Sequence, residues 1–368
     1  MGVTADLGFW SGRRVLVTGD TGFKGAWLAL WLLELGADVH GLADGVPTNP
    51  SLFELAGLGD DVVHHSADIR DVAAVAGVIA AARPEVVLHL AAQPFVRRSY
   101  AEPARTFETN VIGTVNVLDA VRRDPADVRV VVNVTTDKCY RNRGEGRPFI
   151  EDDPLGGHDP YSASKAASEL VTAAYRSSYF TGDDGPALAS ARAGNVIGGG
   201  DWGEDRLVAD VMRAAAAGTP VAIRNPAATR PWQHVLNPLS GYLVLAEALW
   251  DRRAEAAAYN FGPAEDDVLP VSDVVARLIG HWGDEVAVTA DPGPHPEEAA
   301  VLALDSTRAR ERLGWEPAWG LEAGLAATAA WYRDLASGAA ARALTLGQIA
   351  AFTASAASGR PDRADSRR

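Results

Sequence analysis

Residues 15–25 read Val-Leu-Val-Thr-Gly-Asp-Thr-Gly-Phe-Lys-Gly, an apolar run that leads into glycines spaced three residues apart. The run has the composition of a buried strand, and a helical pattern follows over residues 26–35. Glycines at such a turn let the backbone approach a pyrophosphate, whose charge meets the N–H groups and the positive end of the helix. A glycine-rich turn is often only a turn. Here it follows the first strand of the chain and more strands come after it, which favours a phosphate-binding turn.

Short β-branched runs alternate with Ala- and Leu-rich stretches from residue 13 to about residue 180. We predict strands at residues 15–18, 39–42, 62–65, 86–90, 130–134 and 187–191. This alternation is typical of βαβ units, which place their strands in a parallel sheet with right-handed crossovers. The predicted fold class is therefore α/β, a Rossmann-type parallel sheet with helices on both faces, plus a smaller α+β C-terminal lobe.

The pattern changes after residues 192–201, a glycine-rich stretch that we expect to be irregular. Short strands predicted at 221–224 and 259–261 mix with helices predicted at 238–250 and 271–282. We assign residues 9–192 to a dinucleotide-binding domain, whose sheet continues into later segments, and residues 193–353 to the smaller lobe. A ligand site between the two is expected. Residues 354–368 are rich in Ala, Ser, Arg and Asp, and we predict that they form a disordered tail.

Tyr161 and Lys165 lie four residues apart in a predicted helix and therefore share one face. A Lys ammonium beside a phenol favours the phenolate, so we expect the pKa of Tyr161 to fall from about 10 toward neutral pH. Such a phenolate could remove a proton from a hydroxyl group as a hydride leaves the same carbon. The spacing also arises by chance in solvated helices, so the pair needs support from other motifs.

A hydroxyl, a carboxylate and an amine follow the strand predicted at 130–134, namely Thr136, Asp137 and Lys138. In an open parallel sheet the ligand lies beyond the carboxyl ends of the strands, so we expect this triplet to face it. A polar strand end that caps the next segment would look the same in sequence. The presence of Tyr161 and Lys165 downstream favours catalysis.

The composition argues against several classes of partner. The chain has 368 residues, a net charge of -14 and a single cysteine, Cys139. Nucleic acids and anionic membrane surfaces bind basic faces, so neither is an expected partner. One cysteine cannot form a disulfide framework or a cysteine-rich metal site, so we expect a cytoplasmic protein without a metal. Residues 1–14 lack a signal-peptide pattern, and no apolar stretch reaches the roughly 20 residues of a membrane helix.

Seven motifs carry a family resemblance. They are Gly22-Phe-Lys-Gly25, Pro47-Thr-Asn-Pro-Ser-Leu-Phe53, His89-Leu-Ala-Ala-Gln-Pro94, Thr136-Asp-Lys-Cys-Tyr140, Arg192-Ala-Gly-Asn-Val-Ile-Gly-Gly-Gly-Asp-Trp202, Arg230-Pro-Trp-Gln-His-Val235 and Leu313-Gly-Trp-Glu-Pro317. They resemble the extended short-chain dehydrogenase/reductases that act on nucleotide sugars, and within them the CDP-glucose 4,6-dehydratases. The resemblance covers residues 9–352. Related dTDP-glucose and GDP-mannose dehydratases carry Glu where this chain, like the CDP-glucose group, has Lys138.

This resemblance implies that the chain dehydrates a nucleotide hexose with bound NAD, above all CDP-D-glucose to CDP-4-dehydro-6-deoxy-D-glucose and water. Tyr161, helped by Lys165 and Thr136, would deprotonate the C4 hydroxyl while NAD takes the C4 hydride. Lys138 is then the candidate base at C5 and Asp137 the candidate acid at the departing C6 hydroxyl, before the hydride returns to C6. These roles need a neutral lysine and a protonated aspartate, which an ion pair would oppose. A pair that only orients the substrate is the alternative.

Cofactor and substrate contacts also follow from the resemblance. The implied NAD-binding residues are Gly19, Thr21, Gly22, Phe23, Lys24, Gly25, Asp44, Asp68, Ile69, Leu90, Ala91, Ala92, Gln93, Asn110, Tyr161 and Lys165, and the implied nucleotide-sugar residues are Asn195, Arg206, Arg230 and Gln233. Asp44 follows the second strand and could accept hydrogen bonds from the adenosine ribose, favouring NAD over NADP; a plain loop aspartate is the alternative. In this superfamily the helical stretch 104–121 and the Tyr161 helix often pair between subunits, so a homodimer or higher homo-oligomer is expected.

The sequence departs from the CDP-glucose group at several points. Residues 143–150 read Arg-Gly-Glu-Gly-Arg-Pro-Phe-Ile where the group usually has a Trp-x-Trp-Gly-Tyr-Arg run. Asp20, Asn237 and Glu297 stand where the group has His, Glu and His. We expect these changes to flank the sugar or the base, so the reaction class is predicted to be kept while the sugar and the nucleotide are left open.

Two other functions fit the same fold. An epimerase or decarboxylase acting on another nucleotide sugar would need Tyr161 and Lys165, but not Lys138 as a base. A cofactor-binding sensor without activity would be expected to have lost one of the reactive residues, and this chain has all of them.

Overall fold

The computed structural model describes residues 5–125, 127–182, 185–283, 286–291, 293 and 302–358. Its strands are β1 Arg14–Thr18, β2 Asp38–Ala43, β3 Val63–Ser66, β4 Val86–His89, β5 Val130–Val134, β6 Ala187–Ala193, β7 Asn195–Ile197, β8 Val221–Ile223, β9 Thr229–His234, β10 Ala258–Phe261, β11 Val268–Pro270 and β12 Val288–Ala290. Its α-helices are α1 Leu7–Trp10, α2 Phe23–Glu34, α3 Leu52–Leu55, α4 Val72–Ala82, α5 Val96–Ala101, α6 Pro103–Phe107, α7 Gly113–Arg123, α8 Pro160–Ser178, α9 Leu207–Ala217, α10 Leu236–Trp250, α11 Val271–Trp282, α12 Thr307–Leu313, α13 Leu321–Ala336 and α14 Ala341–Ser358. A π turn, Glu108–Ile112, joins α6 to α7, and 3-10 turns occupy Leu58–Asp60, Asp137–Cys139 and Glu265–Asp267.

Seven parallel strands form the main sheet, in the order β10-β6-β5-β4-β1-β2-β3. Alternate residues of β1 enter different hydrophobic clusters, Val15 and Val17 on one face and Leu16 on the other, because both faces are covered. The strand order reverses between β1 and β4, which is where an open α/β sheet binds its ligand. The predicted α/β class and the six strands predicted in the first half of the chain are confirmed.

Outside the main sheet the chain forms a three-stranded sheet, β11-β9-β7, and a strand pair, β12-β8. The helices predicted at 238–250 and 271–282 are present as α10 and α11, and α10 packs against β5, β6 and β10 of the main sheet. No helix in the described part of the chain is both long and apolar enough to span a bilayer.

Three details differ from the sequence-based expectations. The strand predicted at 259–261 lies in the main sheet, where β10 pairs in parallel with β6 and all its residues are buried. The stretch 192–201 is not wholly irregular, because β7 pairs with β9 inside it. Residues 354–358, predicted to be disordered, continue α14, whereas residues 359–368 lie outside the described residues.

The glycine turn after β1 packs too closely to admit side chains. A Cβ on Gly25 would lie 2.0 Å from the Gly19 carbonyl oxygen. Gly19 itself has a φ of +77°, and a Cβ there would lie 2.8 Å from the backbone nitrogen of Ala91. The start of α2 therefore rests directly on the turn, and the turn rests on the segment that follows β4.

We predict that Gly25→Ala lowers the free energy of unfolding by about 2 kcal/mol or more, because the backbone of the turn must move to admit the methyl group. Gly77→Ala is the matched control. Gly77 is exposed within α4 and a Cβ there would meet nothing within 4 Å. The control should raise stability by roughly 0.5 to 1 kcal/mol, since alanine is the better helix former. Urea unfolding measures both, and equal effects would contradict the close packing.

Glu247 ties the first helix to α10. Its Oε1 accepts hydrogen bonds from Trp10 Nε1 at 2.7 Å and from the backbone N–H of Asp6 at 2.9 Å. Burial raises the pKa of Glu247 to about 7, although these hydrogen bonds act in the opposite direction. Because the folded-state pKa lies above the ordinary value, this group stabilises the fold fully only at low pH, and the contribution is lost as pH rises through about 7.

Glu247→Gln keeps the hydrogen-bond acceptor but never ionises. We expect its stability relative to the native chain to improve as pH rises from 5 to 8, because only the native chain must ionise a buried carboxyl group. Urea unfolding at both pH values measures this change. Glu34→Gln, at an exposed position at the end of α2, is the control and should show a constant difference. A constant difference for Glu247→Gln as well would rule out a buried carboxyl with a raised pKa.

Candidate active site

A cavity of about 700 Å³ opens at the carboxyl ends of the central strands of the main sheet. The predicted cofactor residues that line it are Gly19, Thr21, Gly22, Phe23, Lys24, Gly25, Asp44, Asp68, Ile69, Leu90, Ala91, Ala92, Gln93, Tyr161 and Lys165. The predicted catalytic and substrate residues that line it are Thr136, Lys138, Asn195, Arg206 and Arg230. The fold thus brings groups from segments far apart in sequence to one cavity.

One end of the cavity is formed by the glycine turn and fits an anionic group. The N-cap of α2 is Gly22, and no side chain caps this helix. A helix N-terminus carries a partial positive charge and N–H groups without intrahelical partners. The turn is held by Gly22 N, which donates to Gly19 O at 3.1 Å, and by Thr21 Oγ1, which donates to Gly45 O at 2.8 Å. This backbone cradle suits the pyrophosphate of a dinucleotide such as NAD.

The ends of β2 and β3 supply acidic side chains further along the cavity. Asp44 is exposed at its rim, directly after β2. Asp68 accepts a hydrogen bond from Arg70 Nε at 2.8 Å, and this pair lowers the pKa of Asp68. Asn116 Nδ2 donates to the Ile69 carbonyl at 2.9 Å and so fixes the loop. Sequence reasoning missed Arg70, which lines the cavity beside these acids and has no distinctive motif around it.

Tyr161 and Lys165 lie in the first turns of α8, at the end of the cavity opposite the glycine turn. Asp159 caps this helix by accepting from Ser162 N at 2.9 Å, and the Tyr161 N–H donates to Ser99 Oγ at 3.1 Å. Lys165 Nζ donates to the Val134 carbonyl at 3.2 Å, which places the ammonium beneath the end of β5. The predicted pair is therefore on one helix face and in the cavity.

The protonation of this pair differs from the sequence-based expectation. Burial raises the pKa of Tyr161 to about 12, outweighing a hydrogen bond from Thr136 that lowers it. Burial also lowers the pKa of Lys165 to about 8, with Glu169 acting in the opposite direction. The expected fall in the phenol pKa is wrong for the protein by itself, because removal of both groups from water dominates over their attraction.

The triplet after β5 forms a tight hydrogen-bonded turn. Thr136 caps the 3-10 turn by accepting from Lys138 N at 3.3 Å, and its Oγ1 donates to Asp137 Oδ1 at 3.0 Å. Lys138 Nζ donates to the same Oδ1 at 3.2 Å and to Asn195 Oδ1 at 3.0 Å. Thr136 and Lys138 line the cavity, whereas Asp137 lies behind them. Asp137 Oδ2 is buried and has no hydrogen-bond partner among the described residues.

A buried polar network fixes α8 to the sheet beneath these groups. Glu169 Oε2 accepts from Arg192 Nη2 at 2.7 Å and from Ser190 Oγ at 2.7 Å, and its other oxygen accepts from Thr135. Burial alone would raise the pKa of Glu169, but Arg192 and the hydrogen bonds lower it overall. Arg192 continues the network to the Tyr140 hydroxyl at 2.8 Å. The charged glutamate thus lies one helical turn after Lys165.

Arginines surround the opposite side of the cavity. Arg206 Nη1 donates to Asp201 Oδ2 at 2.8 Å and Arg230 is buried in β9, and both were predicted from sequence. Sequence reasoning missed four further arginines that line the cavity, Arg97, Arg98, Arg105 and Arg224. Three of them reach the same acidic loop, since Arg97 and Arg224 donate to Asp205 Oδ1 at 3.1 and 2.9 Å and Arg98 donates to Glu204 at 2.9 Å. Their positions follow from tertiary packing and carry no local sequence signal.

Two predicted ligand residues lie outside the cavity for clear structural reasons. Asn110 accepts from Gln93 N at 2.8 Å and donates to Ser164 Oγ at 2.8 Å, so it ties the segment after β4 to α8. Gln233 donates to the Phe261 carbonyl at 2.8 Å and joins β9 to β10. Both amides make internal hydrogen bonds and neither lines the cavity, although Gln233 Oε1 is buried without a partner among the described residues.

The departures from the CDP-glucose group also lie away from the cavity. No residue of the segment 141–150 lines it, and Phe149 instead stacks on Tyr140 with ring centroids 4.9 Å apart. Asp20 is buried, and its Oδ2 lies 2.7 Å from His64 Nδ1. Asn237 Nδ2 donates a hydrogen bond to the Trp319 carbonyl at 2.8 Å. Glu297 lies outside the described residues. The expectation that these changes flank the sugar or the base stays a prediction, and the described ones do not themselves line the cavity.

Comparison with known proteins agrees with this geometry. A family model described as GDP-mannose 4,6 dehydratase matches residues 16–328. The chain is 48% identical over 333 residues to CDP-glucose 4,6-dehydratase of Salmonella typhimurium, an alignment that covers 89% of this chain and 92% of that protein. The crystal structure of dTDP-glucose 4,6-dehydratase from Streptomyces venezuelae with NAD bound superimposes with a TM-score of 0.75 at 27% identity, covering 88% of this chain and 97% of that one. UDP-glucose 4-epimerase of Thermus thermophilus with NAD gives a TM-score of 0.75 at 29% identity, covering 89% and 100%. The chain therefore belongs to the GDP-mannose 4,6-dehydratase family of extended short-chain dehydrogenase/reductases.

Proposed function

We propose that the protein is an NAD-dependent hydro-lyase that converts CDP-D-glucose to CDP-4-dehydro-6-deoxy-D-glucose and water. The observation that carries this proposal is the meeting of two reactive groups in one cavity, the Tyr161 and Lys165 pair and the Thr136 to Lys138 turn. The first pair alone would suit any oxidation of an alcohol by a nicotinamide. The turn adds a carboxyl group and an amine, which an elimination of water needs. The nucleotide is chosen from the relative in Salmonella typhimurium.

When bound, NAD would accept the hydride from C4 of the sugar and later return it to C6. Tyr161 would take the proton of the C4 hydroxyl, with Thr136 donating a hydrogen bond to the phenolate. Lys165 would favour the phenolate through its positive charge, held in place by the Val134 carbonyl. Burial of these side chains keeps water away from the oxidised sugar.

The Asp137 and Lys138 pair would carry out the elimination. The C4 ketone makes the C5 proton acidic, and Lys138, which lines the cavity, would remove it. Asp137 would protonate the departing C6 hydroxyl. Its Oδ2 is buried beside Gly194, a residue of the cavity wall, where a Cβ would lie 3.1 Å from Oδ2.

The substrate's pyrophosphate would lie among the arginines of the opposite wall. Arg206 and Arg230 are the predicted contacts, and Asn195 would orient the sugar next to Lys138. An acidic protein needs such a local concentration of guanidinium groups to hold a doubly charged ligand.

We assign the protein to the cytoplasm because its single cysteine is buried and its proposed substrate is a nucleotide sugar.

Purified protein incubated with CDP-glucose should yield a product with the alkaline absorbance of a 4-keto sugar. We expect Tyr161→Phe to lower kcat by about 100-fold or more, because it removes the base for the C4 hydroxyl. Tyr179→Phe, which loses only an exposed phenol hydroxyl, is the matched control and should retain activity. If no nucleotide hexose in a panel of NDP-sugars gives product, the dehydratase proposal is wrong. Product in which C6 keeps its oxygen would favour an epimerase.

We also propose that the protein is a homodimer that pairs α7 and α8 with their copies. Large apolar side chains are exposed along these helices and the segment before α7, namely Phe107, Ile112, Leu170 and Tyr179. Apolar side chains of this size are usually covered in the assembled protein.

Leu170→Asp should therefore shift the mass measured by light scattering toward the monomer, because it places a charge in the proposed interface. Val72→Asp is the control. It puts the same charge on an equally apolar, exposed residue at the start of α4, where helix geometry tolerates an acid. The control should leave the mass unchanged. A native chain that is already monomeric would refute the dimer.

A further inference from the structure

The proton of the C4 hydroxyl poses a problem that is specific to a 4,6-dehydration. In an epimerisation the ketone is reduced again, and Tyr161 can return the proton to the same oxygen. In a dehydration C4 remains a ketone in the product, so Tyr161 must pass the proton elsewhere before the next turnover. The departing C6 hydroxyl needs one proton to leave as water, which matches the proton left on Tyr161.

The structure contains a hydrogen-bonded route between these two points. Tyr161 is buried close enough to Thr136 for the threonine hydroxyl to lower its pKa, and Thr136 Oγ1 lies 3.0 Å from Asp137 Oδ1. A threonine hydroxyl has a single hydrogen, so at any moment it donates to one of these two oxygens and can accept at its own oxygen from the other. This is the arrangement in which a hydroxyl group accepts one proton while it releases another.

The proton on Tyr161 could also leave through Lys165, but among the described residues Lys165 has no hydrogen-bond partner that could take the proton further. Lys165 Nζ donates to the Val134 carbonyl, 3.2 Å away. A backbone carbonyl accepts a hydrogen bond but has no proton to pass on. Lys165 can therefore hold charge beside Tyr161, whereas Thr136 connects Tyr161 to a second titratable group.

We propose that Thr136 and Asp137 form a proton relay that carries the C4 hydroxyl proton from Tyr161 to the departing C6 hydroxyl. The relay rests on the dehydratase function proposed above and gives Thr136 a task beyond stabilising the phenolate. It also supplies the proton on Asp137 at the stage when elimination needs it, delivered to the oxygen that accepts hydrogen bonds from Thr136 and Lys138.

The protons balance over one turnover. The C4 O–H bond breaks and its proton joins the Tyr161 oxygen; Thr136 then accepts that proton and releases its own to Asp137 Oδ1. In the elimination the C5–H bond breaks and its proton joins Lys138, acting as the neutral amine, while its electron pair forms the C5–C6 double bond. The C6–O bond breaks as Asp137 protonates that oxygen, giving water. Lys138 finally returns a proton to C5 when C6 is reduced, and every side chain ends as it began.

The surroundings of Asp137 suit a group that receives and releases one proton. Oδ1 faces the relay, while Oδ2 is buried without a partner among the described residues beside Gly194 on the cavity wall. Rotation about the side-chain Cβ–Cγ bond exchanges the two oxygens.

A change of leaving group tests the relay. Fluoride leaves without a proton, so within a single turnover a 6-deoxy-6-fluoro analogue of CDP-glucose needs C4 oxidation and C5 deprotonation but not the relay. With enzyme in excess over substrate, we expect Thr136→Val to slow the single-turnover conversion of CDP-glucose about 100-fold more than that of the fluoro analogue, measured as 4-keto sugar and as released fluoride. Asp137→Asn should show the same selective loss, and Thr136→Ser, which keeps the hydroxyl group, should restore the native ratio.

The ratio of the two rates within one variant does not depend on how much of that variant is folded. If Thr136 only lowers the pKa of Tyr161, Thr136→Val slows C4 oxidation of both substrates equally, and the relay is refuted. A selective loss in Asp137→Asn but not in Thr136→Val would also refute it, because the proton then reaches Asp137 by another route. Native protein that converts neither substrate would instead overturn the proposed function itself.

Discussion

The ion pair between Glu169 and Arg192 is the interaction on which the reactive part of the molecule depends. It joins α8 to β6, and hydrogen bonds from Thr135 and Ser190 complete the carboxylate shell. A buried ion pair contributes little net stability, but the loss of one partner leaves an uncompensated charge, so its geometry is strictly held. Glu169 lies one turn after Lys165 in α8. The ion pair with Arg192 therefore fixes how α8 is rotated about its axis and where it lies along the sheet. Lys165 thereby meets the end of β5, and Tyr161 meets Thr136.

The same network extends from the sheet to the second half of the chain. Arg192 bonds to Tyr140, whose hydroxyl donates to Asn260 at 2.6 Å in β10. The Asn260 N–H in turn donates to Glu151 Oε1 at 2.9 Å. The turn that carries Thr136, Asp137 and Lys138 is thus fastened at both ends, by the sheet before it and by Tyr140 after it. Rigid support of this kind is what a chain of proton transfers requires, since each transfer needs a donor and an acceptor at hydrogen-bond distance.

Burial has opposite consequences for the two ends of the cavity. At the glycine turn no side chain caps α2, so its first backbone N–H groups and their partial positive charge are left for an anion. At the other end of the cavity, burial raises the pKa of Tyr161 and lowers that of Lys165. Burial therefore favours the uncharged phenol and the uncharged amine. The phenolate therefore needs a further stabilising charge or hydrogen bond, and Thr136 is the side chain in position to give one. The sequence-based expectation of a lowered phenol pKa failed because spacing along a helix does not report the loss of water.

The sequence by itself determined the α/β class, the six strands of the first half, and the residues of the glycine turn, the triplet and the Tyr161 pair. These depend on local patterns, namely hydrophobic periodicity and fixed short spacings. Only the tertiary structure decided that β10 closes the main sheet, that Asn110 and Gln233 serve internal hydrogen bonds, and that Arg70, Arg97 and Arg224 reach the cavity. It also placed Asp137 behind Lys138 and in line with Thr136. Such contacts join residues distant in sequence, and burial, which sets their protonation, is a property of the assembled fold.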